Sequence, residues 1–500
     1  MAATPTTRSQ VQAYRFMLRR MEHALVRKDT TMVHDPMRSQ LRAVAVGSVL
    51  AVLALAGFAL VSVFRPAEDV SRATILIGKD SAQPYVVRVE DGVRVLHPVL
   101  NLASARLVAG QPAAAVVAAD SVLAAMPRGP VLGIPGAPNQ LPGPDQRPDP
   151  VWTVCDTAAG NNSADLRTTI VVGALGAGAA ALTGDQALAV RAPDGSLQLL
   201  YDGRRAVVDT TKNVVNRALN LSSVVARPVS AGLLNAVPEV APITVPEVPG
   251  AGQVPTYPVP GLRVGAVVSV TATSGAEFYV LLREYVQKVP ELVATLLASS
   301  SGGVVAVTGD ALAQVPDAPA AALLPVQNYP SKAPQVLAAA NAPVSCLSWS
   351  SRPTEAEPGA GVLALLAGTR LPVPAQARPV ALAGADDGSV AVPTATGGAG
   401  FRLDTFYLPP GRLGVVQTLA AGQVLGVGAR RLVTDTGTTF GIEDAATATV
   451  LGLGPAASAA PESIVSLLPR GRALTAAAAL VAHDGVAADP AGVPQPLPTR

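Results

Sequence analysis

The chain has 500 residues, a formal net charge of +2, 14% charged and only 3% aromatic side chains, and 45 each of Gly and Pro. That length allows several domains, but Ala and Val supply most of the apolar residues, so each buried side chain removes little area from water. Small cores, many turns and extended connectors follow, and the near-neutral balance gives no argument for a nucleic-acid partner.

The first element is a basic amphipathic stretch. Val11, Tyr14, Leu18, Met21 and Leu25 follow a 3-4-3-4 spacing that lines one helix face, while Arg8, Arg15, Arg19 and Glu22 fall largely elsewhere. Such a helix docks on a partner helix or lies on anionic lipid; the strict seam, widened by Phe16 and Met17, favours the protein partner. Asp35 and Pro36 then read as an N-cap and first helical residue. From Ala43 to Phe64 there are 22 residues without a charge, roughly 33 Å of helix, enough to cross a bilayer core of about 30 Å. Residues 1–42 carry eight Lys/Arg against three Asp/Glu, whereas Arg65, Glu68, Asp69 and Arg72 balance on the far side. Positive charge stays inside, which puts the N-terminus in the cytoplasm and the rest of the chain outside. With 42 residues ahead of the apolar run, a signal anchor fits better than a cleaved signal peptide.

Beyond the membrane segment, strand-like runs meet Asp-Gly-type turns: YVVRVEDGVRVL at Asp91-Gly92, ALAVRAPDGSLQLL at Asp194-Gly195, ADDGSVAVPT at Asp387-Gly388 and LVTDTGTTFGI at Asp435-Thr436-Gly437. Alternating apolar residues around such turns signal β-hairpins. Helix-like stretches follow the first two, and apolar runs end at Pro127, Pro238, Pro409 and Pro469. Four hairpin-plus-helix repeats are expected, the third the weakest. GAEFYVLLREYVQKVPELVATLLASS reads as the best outer helix, with Pro290 kinking it.

Both cysteines lie in the outer part. Two cysteines in an oxidising compartment read as one disulfide, Cys155 to Cys346; the alternative is two unrelated buried thiols. Closing a loop of about 190 residues is worth about 5 kcal/mol on the chain-entropy account. The settings mirror each other, Trp152-Thr-Val-Cys155 and Cys346-Leu-Ser-Trp349, so one core is expected in which the bridge and both indoles pack together. With Thr183-Gly184-Asp185 echoed at Thr308-Gly309-Asp310, the layout suggests a pseudo-two-fold arrangement. Eight prolines between Pro127 and Pro150, and seven between Pro238 and Pro260, mark semi-rigid connectors. The chain is accordingly divided into a cytoplasmic helix (1–42), membrane helix (43–64), repeat one (65–127), a linker with the first part of a central domain (128–188), repeat two (189–240), a linker with its second part (241–378), repeat three (379–425), repeat four (426–482) and a Pro-rich tail (483–500).

Chemistry-bearing patterns are sparse. Of four histidines, His23 and His34 fall on the cytoplasmic side, leaving His97 and His483 outside, too few for a zinc site or a His-based triad. No G-x-x-x-x-G-K-[ST] loop occurs; GALGAGAA (Gly173 to Ala180) lacks its lysine and reads as a packing segment. Asp185 and Asp310 are turn residues before they are paired carboxylates. No catalytic residue, metal or cofactor is expected.

RFMLRRMEHALVRKDTTMVHDPMRSQ (Arg15–Gln40), HPVLNLASARLVAG (His97–Gly110) and PRGPVLGIPGAP (Pro127–Pro138) resemble the EccB family, a membrane component of the mycobacterial type VII (ESX) secretion machinery. The resemblance implies a single-pass inner-membrane protein with an elongated α+β periplasmic region, four small repeats around a central disulfide-stapled, β-rich domain. It implies assembly with EccC, EccD and EccE, proximity to the mycosin protease, and self-association. It also implies bridged cysteines and repeats likened to phage-lysin wall-binding modules. Some family members carry the label ATPase, so ATP enters only through that label; the motor expected in such a machine is EccC. A structural subunit is the first reading, an envelope-binding tether the second, a nucleotide hydrolase the third.

Overall fold

The computed structural model describes residues 7–28, 36–63, 70–141, 143, 149–158, 166–273, 275–351, 361–382, 403–420, 428–454 and 457–483. It divides into two parts, Met1–Asp69 and Val70–Arg500. The first part holds two helices, Arg8–Arg27 and Pro36–Val63. Thr7 opens the earlier one with a capping box to Gln10, and Lys28 closes it in the left-handed conformation. Proline stands at the first position of the later helix, where its missing N–H costs nothing. The Asp35 cap, the Asp387-Gly388 hairpin and the tail from 484 onward lie outside the described residues.

Among its described residues the second part contains four small sheets with one connection scheme of four strands, the second sheet gaining a fifth from Gln335–Val336. In each, three antiparallel strands are followed by a helix, a fourth strand parallel to the first, and a short second helix. The first module uses Ile75–Gly78, Pro84–Glu90, Val93–Pro98 and Val116–Ala118; the second uses Gln186–Arg191, Leu197–Tyr201, Arg204–Val207 and Arg227–Pro228. The third uses Val267–Ala272, Gly275–Leu281, Val286–Val289 and Val304–Val307; the fourth uses Gly414–Leu419, Arg430–Val433, Thr439–Ile442 and Ser458–Pro461.

Each module closes in the same way. After the second helix a proline ends the helical run, fixes an extended backbone and offers its carbonyl to the third strand. Leu96 donates to Pro127, Arg205 to Pro238, Val286 to Pro316 and Thr439 to Pro469, all at 2.8–3.0 Å. The residue after each proline then bridges that strand in parallel. Turn residues set the hairpins: Asp91-Gly92 and Asp202-Gly203 both take positive φ, the conformation that a two-residue hairpin turn needs.

Several expectations are corrected here. The third module lies at 267–317, inside the span assigned to the central domain, and its closing proline is Pro316. Among the described residues of 379–425, Val380–Ala381 and Thr405–Tyr407 join the central sheet, and Gly414–Leu419 begins the fourth module. The expected long helix near 275–300 is two strands, then a helix, Glu291–Ser301. Pro290 caps that helix rather than kinking it. The Thr-Gly-Asp echo joins unlike places, a turn leading into the second module and the start of the helix Gly309–Leu312.

The centre is a seven-stranded sheet. Val151–Ala158 and Val344–Ser351 pair antiparallel in its middle, flanked by Leu166–Val172 on one side and Gly361–Gly368 on the other. The second and third modules sit in the chain between these two halves of the sheet. One hydrophobic core joins the central sheet to the second and fourth modules. Another joins the first module to the fourth, a third the second to the third. Arg106 reinforces the first-to-fourth contact by donating to the Leu451 carbonyl at 2.6 Å.

Candidate functional site

On the N-terminal helix all five seam residues stand uncovered: Val11 and Leu18 at 41%, Tyr14 at 66%, Met21 at 56% and Leu25 at 82% exposed. Phe16, Met17 and Val26 are exposed beside them. An apolar stripe of this size on a helix rich in arginine has no covering surface among the described residues of its own part. The next helix includes Leu41–Phe58, a window of mean hydropathy 2.1 with none of it buried, the one described helix long and apolar enough to cross a membrane.

Cys155 and Cys346 are bonded to each other, and each faces the other directly across the two middle strands. Trp152 and Trp349 face each other three positions away in the same register. The indoles do not pack on the bridge. Side chains alternate faces along a strand, so an offset of three puts Trp and Cys on opposite sides of the sheet. Trp152, Val154, Leu347 and Trp349 enter the core shared with the second and fourth modules. The cystine lies on the other face with Val344 and Leu366. The mirrored order of the two motifs has the same origin. Antiparallel neighbours in register read in opposite directions, whereas a two-fold axis would preserve the order Trp-x-x-Cys.

A buried polar row crosses the tryptophan face. Asp156 pairs in register with Thr168 on one side and Ser345 on the other. Its carboxylate accepts from Thr168 Oγ1 at 2.7 Å, from the Ser230 backbone N–H at 2.6 Å and from Ser230 Oγ at 3.0 Å. Ser230 is the N-cap of the second module's helix Ala231–Ala236, so Asp156 fastens that helix to the sheet. Asp404 accepts the Thr168 N–H at 2.7 Å. Arg227, 2% exposed, donates to Ser345 Oγ at 3.1 Å and to the carbonyls of Ala342 and Leu337. Burial raises the Asp156 pKa to about 6 despite the donors around it, with Asp404 adding a smaller push. Burial alone lowers that of Arg227 to about 10. Sequence reading missed this row: its members are up to 248 positions apart, and only the sheet register lines them up.

The glycine run is a packing segment. A Cβ on Gly176 would sit 2.1 Å from the Val373 carbonyl oxygen, and one on Gly178 would meet the carbonyl of Leu371 at 2.6 Å. Asp185 pairs with Lys332 at 2.5 Å, while Asp310 opens its own helix; nothing brings the two together. His97 is buried between Glu90 (3.0 Å) and the Pro130 carbonyl (3.2 Å), and His483 reaches the Gly133 carbonyl at 2.9 Å. Among the described residues no three His, Cys, Asp or Glu side chains cluster as a metal site.

The family described as "Type VII secretion system ESX-1, transport TM domain B" matches residues 3–488. The chain is 34% identical to the ESX-3 secretion system ATPase EccB3 of Mycobacterium tuberculosis, over 97% of this chain and 90% of that protein. It is 35% identical to the ESX-2 secretion system ATPase EccB2 of the same organism, over 96% of each. Among solved structures, a chain of an intact ESX-5 inner membrane complex superposes with a TM-score of 0.71 at 31% identity, covering 100% of this chain and 99% of that one. The EccB3 dimer from the ESX-3 core complex superposes with a TM-score of 0.66 at 31% identity, covering 82% of this chain and 100% of that one.

Proposed function

The chain belongs to the EccB family and is a core subunit of a type VII secretion membrane complex, and on that premise we propose how its parts divide the work. The N-terminal helix is cytoplasmic and docks its Val11, Tyr14, Leu18, Met21 and Leu25 stripe on a neighbouring subunit. The helix Pro36–Val63 anchors the chain once through the inner membrane, and residues 70–500 form periplasmic structure around the export path. EccC, EccD, EccE and the mycosin protease are the partners this reading assigns, together with further copies of the chain itself. The four modules read as repeats of one unit. The observation that carries the proposal is the uncovered apolar stripe set immediately before the one described helix of membrane length. The excess of positive charge before that helix supports the inside orientation.

No catalytic step is assigned to this chain, and ATP has no residue here to hold it in the proposal, although its relatives carry ATPase in their names. A peptidoglycan tether formed by the modules is the competing reading. Deleting residues 1–34 and sizing the tagged complex on a native gel separates the two. Loss of the large assembly supports docking; a full-sized assembly that no longer stays with the cell wall supports the tether. Topology is read with Ser9→Cys and Ser223→Cys, since both native cysteines are bonded. An impermeant maleimide is expected to label only Ser223→Cys in intact cells, and labelling of Ser9→Cys would reverse the orientation.

A further inference from the structure

The four modules allow the same strand to be compared in four settings. It is the fourth strand, which ends each sheet. In the second module it is Arg227–Pro228, fully buried; in the fourth it is Ser458–Pro461, buried over three of its four residues. Both lie against the central domain, and both end in a proline that cannot donate to a further strand. In the first module, Val116–Ala118, the strand end is fastened: Ala118 accepts from Lys79, and the Asp120 carboxylate holds the N–H groups of Asp80 and Ser81.

Among the described residues, the third module shows none of these devices. Val304, Val305 and Ala306 are exposed in succession, the two valines at 42% and 43%. The strand contains no proline, and no charged residue lies between Glu291 and Asp310. Val305 also lines a groove of about 410 Å³ with Val248, Leu262 and Leu297. An uncharged, unprotected edge of three valines and an alanine is a template for strand addition.

We propose that Val304–Val307 is an interface between copies of this chain, pairing antiparallel with the same strand of a second copy inside the secretion complex. The inference deepens the self-association in the reading above and rests on it. A two-fold pairing of Val-Val-Ala-Val with itself brings no like charges together and is isologous, as closed homodimers require. Four residues bury far less than the roughly 1,200 Å² of a stable soluble interface. Two copies anchored by their membrane helices in one assembly face each other at about millimolar effective concentration, where so small an edge suffices.

The test uses the full-length chain in complexes extracted with mild detergent. Single cysteines are placed at Val304, Val305, Ala306 and Val307, with Val117→Cys and Ser223→Cys as controls, and mild oxidation is read on a non-reducing gel. With Val305 facing Val307 of the second copy, Ala306 lies on the two-fold axis, so the expected result is a chain-to-chain crosslink strongest at Ala306→Cys and absent from both controls. Adding Val305→Lys to Ala306→Cys should cut the crosslink at least fivefold while the melting midpoint of the intact chain stays unchanged. A normal-sized complex with no crosslink at any of the four positions overturns the edge pairing and leaves the secretion-subunit reading standing. Capture of a different polypeptide at these positions also overturns it. Loss of any oligomer under these conditions would take down self-association, and the edge with it.

Discussion

The second and fourth modules share a connection scheme and rest on the same tryptophan-bearing face of the central sheet, yet they are seated by opposite chemistry. The fourth presents Ala459, Ala460, Ile464 and Val465 to the common core. The second adds to its Leu233 and Leu234 the polar row of Arg227, Ser230, Asp156 and Ser345. Apolar contact holds wherever shapes fit, whereas a buried carboxylate that needs the Ser230 N–H tolerates only one placement. The polar seat therefore contributes position at a cost in desolvation, and the apolar seat contributes burial. The chain gives a reason for the difference. The second module returns to the sheet inside a 191-residue excursion closed by the disulfide, together with the third module.

The largest expected effect tests that closure. Replacing Cys155 and Cys346 by Ala should cost about 3–5 kcal/mol, because the unfolded chain regains the freedom of a long loop. Amide exchange should rise first in residues 186–318 and least in the fourth module. Equal loosening of both would mean that the bridge does not act on the second module in particular. Next comes Arg227→Ala, expected to cost about 3 kcal/mol, since it opens a cavity and strands the Ala342 and Leu337 carbonyls. Ile464→Ala should cost a similar amount by cavity formation alone. The two separate in specificity: only Arg227→Ala should shift tryptophan fluorescence at native pH before unfolding, as the seated module loses its fixed placement over Trp152 and Trp349.

Acidity sharpens the contrast. The folded Asp156 pKa, at about 6, lies above its ordinary value of 3.8, so the folded protein takes up the proton more readily than the unfolded chain. Its contribution is thus unfavourable above pH 6 and relieved as the pH falls toward 4, a swing of roughly 3 kcal/mol. Relative to Asp156→Asn, the intact chain should gain stability over that window, since the lowered pKa values of Asp120, Asp194, Asp209, Glu277 and Asp444 act the other way in both proteins. Ile464→Ala should keep that gain. A difference between wild type and Asp156→Asn that stays constant from pH 6 to 4 would contradict the assignment.

What was legible in the sequence follows from which interactions are local. Asp91-Gly92 announces its hairpin because the turn conformation favours those residue types, and the 22-residue apolar run announces its helix. The disulfide pairing is legible because the chain has two cysteines, both beyond the apolar run. The third module escaped because its hairpin turns at Arg283-Glu284, which carries no Gly, Asn or Asp. Its second and third strands run without a Gly, Asn or Asp after Gly275 into ELVATLLASS, whose Glu, Leu and Ala favour a helix, so the whole stretch reads as one helix when tertiary pairing is ignored. The Trp–Cys separation was misjudged at the level of faces, where a period of two decides. The polar seat had no local signature at all. Asp156 sits in a run that reads as an ordinary buried strand, and its donors arrive from Thr168 and Ser230 only after folding.

The smallest expected effect probes whether the fourth module also hides a polar lock. Arg431 and Glu462 form an ion pair at 3.2 Å beside its apolar seat, with side chains 16% and 35% exposed. Glu462 begins the helix Glu462–Val465 that packs on the sheet, one position after the cap place that Ser230 holds in the second module and Pro461 holds here. The resemblance ends with solvent. Water reaches part of the Glu462 side chain, although its Oε2 and Arg431 Nε are buried, so breaking the pair exchanges one set of partners for another at Oε1 rather than stranding a wholly buried charge. A double-mutant cycle with Arg431→Met and Glu462→Gln should return a coupling of about 0.5–1 kcal/mol, read as thermal stability of the intact chain. A coupling above about 2 kcal/mol, the range of buried pairs, would place a polar anchor under both modules. In that case the contrast between the two seats would be one of degree, and position as well as burial would have to be credited to the fourth.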